Sequence, residues 1–344
     1  MPRTPTQTFV NKNLHSSACS NQWLEGRDEA YKAYRRNWHE YPKNRHLSEF
    51  PLHLDIDVTN LCNLRCTMCA RTILNHENAL PELGYMDFGL FTSLIDQGVP
   101  LGLASIKLNF LGEPLLHPRI VDMVAYAKQA GVIDVMFNTN AMLLTPSLSE
   151  ALLRAGLDSI FFSVDSVVKE TLERIRVGAR LETVLENIHS FLEARKRLGR
   201  AEVQVGVNMV LMEENKDELD DFLAYWRPLV DRVNWSHDHH YIFRSAGASV
   251  DECARLEEFC CAQLWQRAIV CVDGECLPCC LDAKRELSVG NAKTTPVSEL
   301  WKSSPMFERL RRLHSGGDYK AVPTCRRCVF TLADIPPYMR REVE

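Results

Sequence analysis

From Leu52 to about His237 the chain alternates short mixed runs with longer amphipathic segments, and it does so six times. The runs Leu54–Val58, Ser105–Leu111, Asp134–Thr139, Ser159–Asp165, Val203–Val210 and Arg232–His237 read as strands. The segments between them read as helices. In Asp217–Trp226, Leu219, Phe222, Leu223 and Trp226 fall at i, i+3, i+4 and i+7, an apolar stripe facing a core. Six such units in a row predict a parallel sheet, open or curled into a barrel. Wholly buried parallel strands are usually continuous apolar runs, yet these carry polar residues at alternate positions. Examples are Lys107 and Asn109, Asn138 and Asn140, Ser163 and Asp165, and Asn208 between Val207 and Met209. Period-2 alternation gathers each set on one face. If helices cover the other face, the polar set lines a lumen open at the C-terminal ends of the strands. The expected fold is therefore α/β, a partial (β/α)6 TIM-like barrel.

The remaining chain divides around this core. Residues 1–50 are polar and dotted with aromatics, with a helix expected from about Glu25 to Trp38, and read as an N-terminal cap. The barrel is assigned to residues 51–248. Beyond it the composition changes, and residues 249–344 read as a small cysteine-rich α+β domain with a hairpin turning at Gly274. A net charge of −5 argues against a general binder of nucleic acid or anionic membrane, which needs a basic excess. No stretch approaches 18 uninterrupted apolar residues, and the N-terminus lacks a signal-like apolar region. A cytoplasmic protein is the expectation.

Thirteen cysteines are unevenly placed: Cys19 stands alone, Cys62, Cys66 and Cys69 form a triplet, and nine fall from Cys253 to Cys328. In a reducing compartment such clusters bind metal or do redox chemistry more often than they form disulfides. Cys62-Asn-Leu-Arg-Cys66-Thr-Met-Cys69 directly follows the first strand, where barrels of this kind keep their active sites. Soft thiolates select zinc or iron–sulfur. Three thiolates on a four-iron cluster leave one iron open to a ligand, whereas zinc calls for a fourth protein ligand, for which His76 is the near candidate.

The C-x3-C-x2-C spacing after the first strand of a six-fold repeat resembles the radical S-adenosylmethionine superfamily. Leu111-Gly112-Glu113-Pro114 resembles the family's Gly-Gly-Glu-Pro element, which holds the methionine amino group. Asn138-Thr139-Asn140 lies where the family has its Thr-Asn-Gly turn, and Ser163-Val164-Asp165 resembles its Ser-x-Asp element near the cofactor ribose and carboxylate. Arg176 is similar to an arginine that binds the methionine carboxylate, and Asn208 falls on the same polar face. The resemblance covers about residues 52–245. Two positions depart from the pattern: Met68 stands where an aromatic is usual, and Leu111 replaces the first glycine. The set Cys261-x12-Gly274-x4-Cys279 with Cys325-x2-Cys328 resembles the shortened auxiliary-cluster domain of SPASM type called twitch, whose four cysteines hold a second [4Fe–4S] cluster; a four-thiolate zinc site remains open on the residues alone. Cys253, Cys260, Cys271, Cys276 and Cys280 are left over as buried filler, with Cys280 or Cys276 an alternative hydrogen-atom donor.

The resemblance implies two [4Fe–4S] clusters, S-adenosylmethionine as cofactor, a flavodoxin- or ferredoxin-type electron donor, and a 5′-deoxyadenosyl radical that takes a hydrogen atom from an unactivated C–H. The stretch from Tyr34 to Cys69 and the Cys261 to Arg267 segment are most similar to enzymes of sugar and antibiotic-nucleoside pathways, the cytosylglucuronate decarboxylases above all. That implies a small sugar or nucleoside substrate and loss of a sugar carboxylate, with a sugar or aminocyclitol dehydrogenase or an epimerase as alternatives. Trp235-Ser-His237-Asp238-His239-His240-Tyr241-Ile-Phe-Arg244 begins in the sixth strand, and His237, His239, His240 and Arg244 could hold an anionic substrate there. A peptide maturase is disfavoured because residues 1–50 are short for a peptide-binding domain. A non-enzymatic zinc protein is the distant competitor.

Overall fold

The computed structural model describes residues 14–237 and 259–328. Among these residues ten strands form one sheet: β1 (Leu14–Ala18), β2 (His53–Ile56), β3 (Ser105–Lys107), β4 (Asp134–Thr139), β5 (Ser159–Ser163), β6 (Gln204–Leu211), β7 (Arg232–His237), β8 (Arg267–Val270), β9 (Glu275–Leu277) and β10 (Gly290–Asn291). Their order is β1-β7-β6-β5-β4-β3-β2-β8-β9-β10. β2 to β7 pair in parallel from neighbour to neighbour, with helices on the connections. This is the predicted α/β barrel core. β8 adds another parallel strand beside β2, so the cysteine-rich region begins by extending the barrel sheet. β9 then returns antiparallel, making the hairpin around Gly274, whose φ of 86° lies in the left-handed region.

The alternation read in the sequence sorts onto two faces. Leu54, Ile56, Ile106, Val135, Phe137, Ile160, Phe162, Val205, Val207 and Val233 are fully buried or nearly so in one core with the helices. Phe91, Leu94 and Ile95 answer from Phe88–Gly98, and Ile188 and Phe191 from Leu181–Arg197. Phe191 meets Phe162 edge to face at 5.8 Å. Each such side chain contributes about 1.5–3 kcal/mol by leaving water. The intervening residues, among them His53, Asp55, Lys107, Asn138, Gln204 and Asn208, share the opposite face by the same period of two.

Several boundaries differ from the sequence reading by a residue or two, β2 ending at Ile56 among them, and three differ for a clear local reason. β3 ends at Lys107, not Leu111, because the Asn138 N–H donates to the Asn109 side-chain oxygen at 2.9 Å and the chain then turns into Pro114–Leu116. β5 ends at Ser163, leaving Asp165 on the loop beyond. The N-terminal helix is Glu29–Asn44: the Asp28 carboxylate accepts from the Tyr31 N–H at 2.8 Å and starts it, and Arg45 at φ 52° ends it. Its Tyr31, Tyr34 and Trp38 form an edge-to-face chain that reaches His53 at the start of β2. The Tyr34 hydroxyl meets the Ser105 hydroxyl at 3.0 Å, and Arg27 pairs with Asp158 at 2.7 Å. The helix thus lies across the N-terminal ends of the strands, opposite the Cys62 loop.

Candidate active site and thiol clusters

The Cys62–Cys69 loop leaves the C-terminal end of β2 and is stitched to two neighbouring loops. The Arg65 and Thr67 N–H groups donate to the carbonyls of Val177 and Ile175, both at 2.9 Å. On the other side, the Glu113 N–H donates to the Leu61 carbonyl at 2.8 Å, and Asn140 Nδ2 donates to Asn63 Oδ1 at 2.9 Å. Gly112 sits so close to this loop that a Cβ would lie 1.9 Å from the Thr59 carbonyl oxygen and 2.6 Å from that of Leu61. No side chain fits there. The sequence singled out Gly112; the reason is the close approach.

Glu113 is 3% exposed and lies beside that contact. Its carboxylate accepts from the Thr139 hydroxyl at 2.7 Å, the Asn140 N–H at 2.9 Å and the Leu115 N–H at 3.2 Å. Burial pushes its pKa up to about 7, and those donors offset only part of the cost. A cationic ligand amine at this carboxylate would offset the rest. Of the Asn138-Thr139-Asn140 turn, Thr139 and Asn140 reach Glu113, while Asn138 stays in β4 with its N–H on Asn109.

Asp165 and Arg176 meet in the same region. Arg176 Nε lies 2.8 Å from Asp165 Oδ2 and Nη1 lies 3.9 Å from the Cys66 sulfur. Neither Arg176 Nε nor Asp165 Oδ2 completes a hydrogen bond, although both are buried. Asp165 Oδ1 instead accepts from the Val210 N–H at 2.9 Å, and Asn215, not anticipated from sequence, donates to the Asp165 carbonyl at 2.8 Å. Ser163, Asn208 and a further residue, Asn234, stand in register across β5, β6 and β7, and Asn234 Nδ2 donates to Asn208 Oδ1 at 2.8 Å. The lumen below the Cys62 loop is thus lined with amides and hydroxyls.

Burial pushes the Cys66 pKa up to about 12, with Cys62 and Cys69 adding to it, despite the Arg176 guanidinium. A bare thiolate is costly in this setting, and a cationic metal group offsets that cost. Among the described residues no three His, Cys, Asp or Glu side chains close on a single ion. A cluster asks for less convergence, since each thiolate binds a different iron. His76 is exposed at the far end of the helix Ala70–His76, away from Cys69 at its start, and offers no fourth zinc ligand.

The second thiol set converges from segments far apart in sequence. Cys261, Cys279, Cys325 and Cys328 line one apolar cavity with Leu264, Pro278 and Leu310. Burial pushes the pKa of Cys261 and Cys325 up to about 12, and Cys279 is raised well above its usual value by burial and by Cys280, Cys328, Cys261 and Cys325 around it. Four thiols in an apolar pocket form a complete ligand set for a [4Fe–4S] group. His314 was not foreseen. Its Nδ1 accepts the Cys261 N–H at 3.2 Å, which leaves the proton on Nε2, 3.4 Å from the Cys325 sulfur. Of the leftover cysteines, Cys260, Cys271 and Cys276 are buried and Cys280 is half-buried. Cys253, His239, His240 and Arg244 lie outside the described residues; His237 closes β7, and its side chain also lies outside them.

Asp57 was also missed. It continues β2, is fully buried, and accepts from the Leu111 N–H at 3.1 Å while its own N–H donates to the Val270 carbonyl at 2.8 Å. It therefore ties the Gly112-Glu113 loop to β8. Burial pushes its pKa up to about 7, against the lowering effect of the Leu111 amide and of Arg285.

The Radical SAM superfamily pattern matches residues 56–225, and that of an iron–sulfur cluster-binding domain, SPASM, matches residues 260–329. The chain is 31% identical over 175 residues to the tungsten-containing aldehyde ferredoxin oxidoreductase cofactor-modifying protein of Pyrococcus furiosus, covering 50% of this chain and 47% of that protein. It thus spans about half the length of that relative. It is 27% identical over 315 residues to PqqA peptide cyclase of Gluconobacter oxydans, covering 81% of this chain and 82% of that one. Among solved structures, BtrN in complex with AdoMet and 2-DOIA aligns with a TM-score of 0.53 at 18% identity, over 82% of this chain and 94% of that one. Streptococcus suis SuiB bound to S-adenosylmethionine aligns at 0.59 with 14% identity, over 83% and 73%. These structural likenesses establish the fold. Among the described residues no helix is long and apolar enough to cross a membrane.

Proposed function

Since the chain belongs to the radical SAM superfamily and carries a SPASM-type iron–sulfur domain, we propose that it abstracts a hydrogen atom from a sugar carbon of a sugar-acid or nucleoside intermediate, leading to loss of the carboxylate. The observation that carries this reading is the lumen under the Cys62 loop: Asn109, Asn138, Ser163, Asn208 and Asn234 offer a hydroxyl-matching surface where an adenosyl ribose and a sugar substrate would meet. S-adenosylmethionine and a reduced [4Fe–4S] cluster together supply the 5′-deoxyadenosyl radical.

The chain's own residues do the positioning. Cys62, Cys66 and Cys69 would hold the cluster. Glu113, with Thr139 and Asn140 fixing its carboxylate, would take the methionine ammonium, and Gly112 lets that loop reach the cysteine loop. Arg176, paired with Asp165 at 2.8 Å, would take the methionine carboxylate, while Ser163 and Asn208 would face the ribose. Cys261, Cys279, Cys325 and Cys328 would hold the auxiliary cluster. A flavodoxin- or ferredoxin-type protein would deliver two electrons per turnover, one to cleave S-adenosylmethionine and one, with a proton from solvent, to quench the substrate radical once carbon dioxide has left.

The test is mass spectrometry of an anaerobic reaction of reconstituted protein, S-adenosylmethionine, reductant and a pyrimidine nucleoside glucuronate. Product lighter by carbon dioxide together with 5′-deoxyadenosine supports the decarboxylase reading. Loss of two hydrogens, or an unchanged mass with deuterium taken up from solvent, replaces it with dehydrogenation or epimerisation. A peptide substrate is the competing reading, supported by the likeness to PqqA peptide cyclase across 81% of the chain. Deoxyadenosine without nucleoside turnover would favour it.

A further inference from the structure

The barrel has a second polar cavity, at the end opposite the Cys62 loop. It encloses about 450 Å³ between the N-terminal ends of the strands and the helix Glu29–Asn44. That is within the range of small-molecule sites. Four cationic side chains line it: Arg35 from the helix, Lys107 from β3, Arg232 at the start of β7 and Arg267 at the start of β8.

Their charges are unequally met. Lys107 and Arg267 both pair with Asp55, at 2.7 and 3.2 Å. Arg35 and Arg232 have no carboxylate within ion-pair distance among the described residues, although Arg35 stacks over Tyr34 and Trp38. Both line the cavity, and burial together with the Arg35 guanidinium holds the Arg232 pKa below its ordinary value. Two half-buried guanidiniums whose cavity carboxylate, Asp134, lies beyond ion-pair distance are an unfavourable arrangement unless an anion joins them.

The hydrogen-bond inventory points the same way. Among the lining side chains, Arg232 Nε, Arg267 Nε and Gln204 Nε2 are buried donors with no acceptor, and Gln204 is only 6% exposed. Buried donors are normally partnered. Three orphaned donors in one cavity leave room for an acceptor-rich group. The opposing charge in the cavity is the Asp134 carboxylate, which receives the Ser159 hydroxyl at 3.4 Å and which burial holds up to about 6. Trp38 carries Arg35 and Arg267 at 5.8 and 5.3 Å from its ring, which fixes both guanidiniums before any ligand arrives.

We propose that this cavity, where Arg35 and Arg232 lack a carboxylate partner and the buried Gln204 amide lacks an acceptor, binds a small phosphate- or carboxylate-bearing molecule. The site is separate from the radical chemistry. Phe161 lies over β6 where Gly206 has no side chain, 2.5 Å from where a Cβ would stand, and covers the lumen between the cavity and the Asn208 level. The bound anion therefore acts on the barrel floor, bridging the N-terminal helix to β6 and β7, and not on the reacting carbon.

The experiment is isothermal titration of the full, cluster-loaded protein under anaerobic conditions with inorganic phosphate and, separately, citrate, against chloride of matched ionic strength. Saturable binding near one per chain is expected, unaltered by saturating S-adenosylmethionine. Arg232→Gln and Arg35→Gln should each weaken it at least tenfold while leaving S-adenosylmethionine affinity unchanged, the latter showing that the variants fold. Preference for phosphate or for citrate assigns the anion class. The proposal fails if neither probe saturates, or if both variants bind as the parent does. It also fails if Arg232→Gln raises the melting temperature of a parent that binds neither probe, since water then satisfies the donors and the variant has only relieved repulsion.

Discussion

The two thiol sites are built in opposite ways. Cys62, Cys66 and Cys69 come from one loop whose backbone is tied to the 175–177 and 111–113 segments, with a guanidinium beside it. Cys261, Cys279 and the Cys325/Cys328 pair come from three separated segments and meet in an apolar cavity, where a neutral imidazole and the Leu281 N–H approach the sulfurs. The first set is positioned by hydrogen bonds that exist without metal. The second has apolar packing and the Cys261 N–H bond to His314, and a bound cluster would be what joins its three segments through their thiols. A preformed loop with three ligands suits a site that must leave a position open. A four-ligand set gathered from distant segments suits a closed site that couples metal to folding.

The largest effect expected from this contrast is on turnover. Cys66→Ala removes a ligand from the three-thiol site and should bring 5′-deoxyadenosine formation to background, whereas Cys325→Ala should retain part of it. Chromatographic quantitation of deoxyadenosine separates the two, and equal activity in both variants breaks the comparison. Next comes metal removal. Anaerobic chelation should release hydrogen-exchange protection across residues 261–328 while β4 to β6 stay protected, because only the second set depends on its metal for closure. Uniform loss across both regions would mean the barrel loop is no more preformed than the other.

How much of this was legible follows the same division. Cys62, Cys66, Cys69, Gly112 and Glu113 were readable because they sit in short motifs at strand ends, where spacing alone fixes proximity. The two-face alternation was readable because a strand repeats every two residues. Asp57 and His314 were not. A single Asp after a strand and a single His in the helix Pro305–Gly316 carry no local pattern, and their partners lie 54 and 11 residues or more away. The parallel pairing of β8 with β2 was missed for a related reason: a four-residue strand pairs across more than 200 residues, and nothing near it announces its neighbour. Long-range contacts are legible only when the residues that make them are unusual, as the cysteines are.

Gly112→Ala probes how tightly the preformed site is stitched. A Cβ at 1.9 Å from the Thr59 carbonyl forces two backbones apart, which costs about 1–3 kcal/mol as overpacking does elsewhere. The expected result is a lower urea midpoint and a loss of S-adenosylmethionine affinity, with the absorbance of the auxiliary cluster intact. Asp57→Asn tests the tie between the two regions. A carboxyl raised to about 7 in the fold from 3.8 holds its proton longer when folded than when unfolded. Its contribution to stability is therefore greatest at low pH and is lost as pH rises from about 4 to 7. Asparagine keeps an acceptor for the Leu111 N–H and does not titrate. Urea unfolding at pH 5 and pH 7 should show a shallower fall for the variant, by up to about 1.4 kcal/mol per pH unit. An identical slope would remove Asp57 from the account.

The smallest effect should fall on the auxiliary site alone. With Nδ1 taken by the Cys261 N–H, His314 presents its Nε2–H to the Cys325 sulfur, and burial lowers its pKa to about 4, so the ring stays neutral near pH 7. A donor on a thiolate favours the more negative, reduced state and raises the reduction potential. Its loss in His314→Phe should lower the potential of the auxiliary cluster; a hydrogen bond of about 1.5 kcal/mol corresponds to roughly 60 mV for one electron. Redox titration followed by electron paramagnetic resonance reads each cluster separately. A shift confined to the auxiliary signal supports two independently tuned sites. A shift in both signals would mean the imidazole acts on the packing between the regions, through β8 and Asp57, and the contrast drawn between a self-standing loop and a metal-closed pocket would have to give way to one coupled unit.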